Sequence, residues 1–201
     1  MQAKARLCAR AAKKILWLVQ AVDTPTLDLP KSDYELMLAE PNVNQTKKLM
    51  GILPIYVGME MILTETLLPP RYVPGTRVIV QGIEPHPDEP PIEGRQSIAA
   101  HGCVLLRFMP LCIYVKMKDA TENFLQKEDT AHAKDAELAG VLAITPAKRL
   151  WRFASKHFVK GVHVHRSQIP LLPTKQCTLH GIQGNTGCSI SSQVPSHMIG
   201  T

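Results

Sequence analysis

Three things are missing from this chain of 201 residues. No apolar run approaches the ~18 residues needed to cross a bilayer, which excludes a transmembrane helix, and no membrane partner is expected. None of the 12 glycines is followed by lysine, so no GxxxxGK[ST] phosphate loop exists. The five cysteines, Cys8, Cys103, Cys112, Cys177 and Cys188, form no CxxC pair, and no secretory signal peptide precedes them. An odd count without such context reads as free thiols in a reducing, intracellular compartment, not as a disulfide framework. A GxSxG nucleophile elbow is absent too, which removes the commonest support for serine catalysis.

What is present is ordinary globular composition, 45% apolar and 20% charged, with 16 prolines and a formal charge of +6. A pI near 9.1 suits an anionic partner, nucleic acid before membrane surface. Residues 1–22 carry Lys4, Arg6, Arg10, Lys13 and Lys14 with no acid before Asp23. Leu7, Ala11, Ile15, Leu18 and Val22 recur at helical spacing, which predicts one amphipathic basic helix; an acid-free N-terminus of this kind also resembles a mitochondrial transit peptide.

A short helix is expected over Tyr34 to Ala39, then strands over Leu53–Val57 and Met59–Leu63 around Gly58. Pro74-Gly75 signals a turn before a β-branched strand, Arg77 to Val80. Ile83 to Gly94, with four prolines among acids, reads as a loop. Cys103–Phe108 and Leu111–Val115 look like a hairpin turning at Met109-Pro110. The mixed-charge stretch 118–140 reads as a mobile surface segment. Val141 to Ile144 is a short apolar run, and Val162-His163-Val164-His165 alternates like a half-buried strand.

Several residue groups invite chemistry. His163 and His165 face the same side of a strand, but no carboxylate or third ligand is near in sequence, so a surface strand is the better reading. Cys177, His180 and Cys188 could form a zinc-binding interaction module, although their spacing fits none of the common ligand patterns. No metal site is therefore assigned. The run Arg149 to Lys160 mixes cations with Trp151, Phe153 and Phe158. Its cations could neutralise phosphates and its aromatics could stack bases; alternatively it is an amphipathic helix with buried aromatics. Arg149, Arg152 and Lys156 are the candidates for DNA-backbone contact.

The segment Arg166-Ser-Gln168-Ile-Pro170-Leu171-Leu-Pro-Thr-Lys-Gln-Cys-Thr178-Leu-His180-Gly-Ile-Gln183-Gly184-Asn-Thr186 resembles motif V of Pif-type and Helitron-type (RecD-like) DNA helicases of superfamily one. Leu53-Pro-Ile-Tyr-Val-Gly58-Met-Glu-Met61-Ile-Leu-Thr-Glu65, followed by Pro74-Gly75-Thr76-Arg77-Val78, is similar to an earlier stretch of the same family. Trp17-Leu-Val-Gln20-Ala21-Val-Asp23 resembles the segment heading that domain.

The resemblance implies an α/β fold: the second RecA-like (P-loop NTPase-type) domain with an inserted small β-barrel (SH3-like) subdomain. Residues 1–75 would be its first part, 76–165 the β-rich insert, 166–187 the return through motif V, and 188–201 a disordered tail. It further implies a fragment of an ATP-dependent DNA helicase, with single-stranded DNA as partner and Thr178, His180, Gln183, Gly184 and Thr186 contacting DNA or nucleotide phosphate. The missing N-terminal RecA-like domain of the same helicase is the second implied partner.

ATP and Mg2+ would serve the full-length parent; without Walker motifs and motif VI, this chain alone is expected to bind neither and to hydrolyse nothing, so no catalytic residue is assigned. DNA repair and recombination, and a nuclear or mitochondrial location, are what the family implies. Gly181-Ile182 stands where the family has Lys-Ser, which removes a cation and a hydroxyl from the motif. The rival reading is a non-catalytic nucleic-acid-binding remnant of a transposon helicase.

Overall fold

A computed structural model describes residues 2–70, 72–91, 103–117 and 140–174. Their elements are, in order, α1 (Gln2–Ala11), β1 (Leu16–Gln20), β2 (Val22–Pro25), α2 (Lys31–Ala39), β3 (Ile52–Ile55), β4 (Glu60–Leu63) and β5 (Arg77–Glu84). Then follow β6 (Cys103–Leu105), β7 (Cys112–Lys116), β8 (Val141–Ile144), β9 (Ala147–Phe153), β10 (Val162–Gln168) and β11 (Leu171–Pro173). The strands make three open sheets with orders β3-β1-β6 (sheet I), β2-β10-β9 (sheet II) and β11-β4-β5-β7-β8 (sheet III). Pairing is antiparallel except for β1 with β6, so the fold is a mixed α/β one with few helices, and among the described residues no sheet closes into a barrel.

The N-terminal helix ends eleven residues earlier than its apolar spacing suggests. At its end the Lys14 N–H reaches the Ala9 carbonyl at 2.9 Å, while Lys13 takes φ +53°. This is a Schellman-type stop with lysine in the left-handed position that glycine usually fills. Beyond it Ile15 to Val19 is a continuous apolar run, which suits a strand covered on both faces better than a one-sided helix. Leu16 and Leu18 pack with Ala5 and Ala9 of α1, while Val19 enters the main core. The two ends of the supposed stripe, Leu7 and Val22, are 68% and 51% exposed.

Relieving the left-handed lysine returns about 1–2 kcal/mol, against about 0.5–1 kcal/mol of extra chain entropy for glycine. Lys13→Gly is therefore expected to raise stability by roughly 0.5–1 kcal/mol, seen as a higher urea midpoint at unchanged slope.

The main core lies between sheets I and III. Val19, Leu53 and Ile55 on one side meet Met61, Leu63, Val78, Val80, Ile113, Val115 and Ile144 on the other. The β3 and β4 strands flank Gly58, whose φ of +93° makes the reversal, and Pro74-Gly75 turns the chain into β5 as expected. β5 runs on to Glu84, into a stretch expected to be loop, because Ile83 pairs with Ile113 across the sheet.

The expected hairpin over 103–115 does not form. β6 lies parallel to β1 in sheet I, whereas β7 sits between β5 and β8 in sheet III. Both segments had the right strand character, but their partners are remote in sequence. Strands between positions 76 and 165 thus pair with β1, β2 and β4, which lie before them in the chain.

Candidate nucleic-acid interface

Sheet II is organised by a buried arginine. Along β10 the residues Val162, Val164, Arg166 and Gln168 share one parity and one buried face. Arg166, with no exposed side-chain surface, donates from Nε and Nη2 to the Asp23 carboxylate at 2.8 and 2.7 Å. The same guanidinium donates to the Met37 carbonyl at 2.7 Å and the Leu49 carbonyl at 3.3 Å, and its Cζ lies 4.9 Å from the Trp151 ring centroid.

Two residues on, Gln168 Nε2 donates to the Val19 and Met50 carbonyls at 3.0 and 3.2 Å, and its Oε1 accepts the Ile169 N–H at 2.9 Å. The large majority of buried polar groups in folded proteins are satisfied in this way. The two long polar side chains join β10 to β2, to the end of α2, and to the segment before β3. Met37 of α2 closes the same face over Trp151, Phe153 and Val164.

Alternation then fixes the opposite face, which solvent covers. Lys148, Leu150 and Arg152 point outward from β9, and His163, His165 and Ser167 from β10. Register places Arg152 beside His163, Leu150 beside His165 and Lys148 beside Ser167, with Thr24 and Val22 of β2 completing the rows. No aspartate or glutamate occurs among these outward residues. Leu150 is 47% exposed, so an apolar surface sits between two cations.

The loop joining β9 to β10 is tied down. Ser155 Oγ donates to Asp33 Oδ2 at 3.0 Å, and His157 Nδ1 lies 3.2 Å from Asp33 Oδ1, on a carboxylate with no exposure. Serine and histidine both address the aspartate, with no hydroxyl-to-imidazole bond, so the trio is a latch onto the first turn of α2, not a nucleophile arrangement. At the loop's end Gly161 takes φ +75°, and an added Cβ would stand 2.7 Å from Arg152 Nε. Glycine here lets the Arg152 stem cross the backbone, and its Nη2 donates to the Lys160 carbonyl.

Beside β9 runs a groove of about 570 Å³, walled by Glu40, Asn44, Gln45 and Lys47 opposite Leu150 to Ala154. Trp151 is among its lining residues, and the buried Nε1 of that side chain has no hydrogen-bond partner among the described residues.

The three basic residues singled out from the sequence have different fates. Arg149 turns to the inner side, where Nη1 donates to the Lys47 carbonyl at 2.6 Å and Nη2 meets Glu65 Oε2 at 3.3 Å. Arg152 and Lys156 are exposed. The segment around Trp151 is a strand and not an amphipathic helix, and its aromatics Trp151 and Phe153 are buried, edge to face, with centroids 5.8 Å apart. Neither ring is available to stack a base.

Thr178, His180, Gln183, Gly184 and Thr186 lie outside the described residues, as do Cys177 and Cys188. His163 and His165 do share a face, and among the described residues no group of three metal-binding side chains occurs. Lys148 lies one residue before the basic run that begins at Arg149, and its outward direction follows only from the parity of the strand. The inward roles of Arg166 and Gln168 are signalled in the sequence by their parity with Val162 and Val164.

No family model matches the chain, and no curated protein matches it. Among solved structures it is similar to the crystal structure of Pif1 helicase from Candida albicans, over 92% of this chain and 35% of that one, at 15% identity and a TM-score of 0.47. The chain spans about a third of that protein's length.

Proposed function

We propose that this chain is a single-stranded nucleic-acid-binding part of a helicase-type protein, and that the outer face of sheet II is where the strand lies. The observation that carries the reading is the composition of that face: Lys148 and Arg152 flanking exposed Leu150, beside His163 and His165, without an acid among them. Lys156 and Lys160 extend the positive surface along the adjoining loop. Cations so placed neutralise phosphates, while Leu150 and the imidazoles offer surface to bases; such binding is sequence-independent. The Arg166–Asp23 lock and the Asp33 latch hold the face in place, so the cations sit on a rigid support.

The finer assignment, a second RecA-like domain with a β insert, draws its support from the order and spacing of the sequence motifs. In that reading Thr178, His180, Gln183, Gly184 and Thr186 add phosphate contacts. ATP and Mg2+ belong to the parent enzyme, and the partner RecA-like domain would supply the groups that hold them.

The test is fluorescence anisotropy of a labelled oligothymidylate against salt concentration. Four cations at the face give a slope of log K on log salt of roughly −3, at about 0.7 per phosphate for a single strand. Binding is expected at low salt without ATP. No rise in anisotropy at ~10 μM protein and low salt would rule the reading out.

A further inference from the structure

The outer edge of sheet II is open. β9 is an edge strand of seven residues, and among the described residues none of its backbone groups bonds to anything but β10. A row of free N–H and C=O groups is a template for another strand, and proteins usually blunt it with charge or cover it. Here it faces the groove of about 570 Å³, whose far wall offers the polar side chains Asn44 and Gln45.

The geometry points to a docking site for an extended acidic peptide of a partner protein, added as a fourth strand along β9. Charge decides the occupant. A second copy pairing antiparallel about Leu150 would set Lys148 against Arg152 and Arg152 against Lys148, and like charges directly opposite are destabilising. A strand reading acid-x-apolar-x-acid instead places its carboxylates on those two cations and its apolar residue on Leu150, while its backbone completes the ladder. Among the described residues Glu40 is the one acid on the groove wall, and its Oε1 already accepts the Asn42 N–H at 2.9 Å. Glu65 is held by Arg149 at 3.3 Å. Edge protection alone accounts for the two cations but not for the groove or the exposed leucine.

This inference goes beyond the nucleic-acid reading and does not depend on it, although both use Lys148 and Arg152. Its test uses the full chain and a fluorescein-labelled peptide, Thr-Glu-Thr-Val-Thr-Glu-Thr. Two further peptides carry N-methyl groups on alternate amides, one set or the other, and a fourth has lysine in place of glutamate.

The parent peptide is expected to bind, one N-methylated form to lose about tenfold or more, and the other to stay within about twofold, since alternate amides face the edge. The charge-reversed protein, Lys148→Glu with Arg152→Glu, is expected to prefer the lysine peptide. Equal binding of all the acidic forms would mean mere electrostatics and overturn the proposal. So would the absence of binding at ~1 mM peptide, with or without binding of the oligothymidylate by the same sample.

Discussion

Replacing Arg166 by methionine is expected to cost about 3–5 kcal/mol, because it leaves the Asp23 carboxylate buried and unpaired. Asp23 is 3% exposed and takes two short bonds from the guanidinium, so water cannot readily take the arginine's place. Two further acceptors, the carbonyls of Met37 and Leu49, lose their donor at the same time. Against a typical total of about 5–15 kcal/mol, that is a large share of the stability, and at the lower end of the range it unfolds a large fraction of molecules at ambient temperature.

Arg166→Lys is expected to recover little, since an ammonium cannot span both carboxylate oxygens and lie over Trp151. Adding Asp23→Leu to Arg166→Met removes the orphaned charge, and the double variant is expected to be more stable than Arg166→Met alone. Urea midpoints of the three variants check the set. A double variant no better than Arg166→Met would show that the pair is not the source of the loss.

The second large effect is expected at Gly51. A Cβ there would stand 2.1 Å from the Leu38 carbonyl oxygen and 2.7 Å from its carbon. Both atoms are backbone of α2, so no rotamer relieves the clash. The strand side cannot retreat freely either, because the Gly51 carbonyl accepts the Ala21 N–H at 2.7 Å. Gly51→Ala is therefore expected to cost about 3 kcal/mol, at the upper end for overpacking, by pushing α2 off its seat.

The helix carries Asp33 and Met37, so the loop latch and the packing of Trp151 loosen with it. Gly58→Ala is the control: it has φ +93° but nothing within 4 Å of an added Cβ, so only the backbone term of about 1–2 kcal/mol remains. Equal urea midpoints for the two alanine variants would contradict the steric argument.

Local pattern made part of this architecture readable. Strands around Gly58, the Pro74-Gly75 turn and the alternating β10 all follow from short-range signals. The N-terminal segment did not, because Leu18 and Val22 satisfy a helical count while Ile15 to Val19 also satisfies a doubly buried strand; the Lys13 stop decides between them. The 103–115 hairpin failed for a different reason. Adjacent strands pair often, but β6 completes sheet I against β1 and β7 completes sheet III against β5, choices made by the tertiary core.

At the candidate site, Arg166 read as part of a phosphate-binding motif, yet its parity with Val162 and Val164 places it in the interior. Its partner Asp23 was illegible, being 143 positions away. Arg149 shows the same lesson in reverse: a cation in a basic run spends its charge on Glu65 and a carbonyl.

The central claim is that a single strand lies on the outer face of sheet II, and charge reversal there tests it most directly. In the oligothymidylate titration at low salt, Lys148→Glu with Arg152→Glu is expected to weaken binding at least about tenfold and to flatten the salt slope by more than 1. The urea midpoint should change little, since both side chains are exposed and the Arg152 bond to the Lys160 carbonyl lies at the surface. Wild-type affinity and slope in a folded double variant would contradict the account.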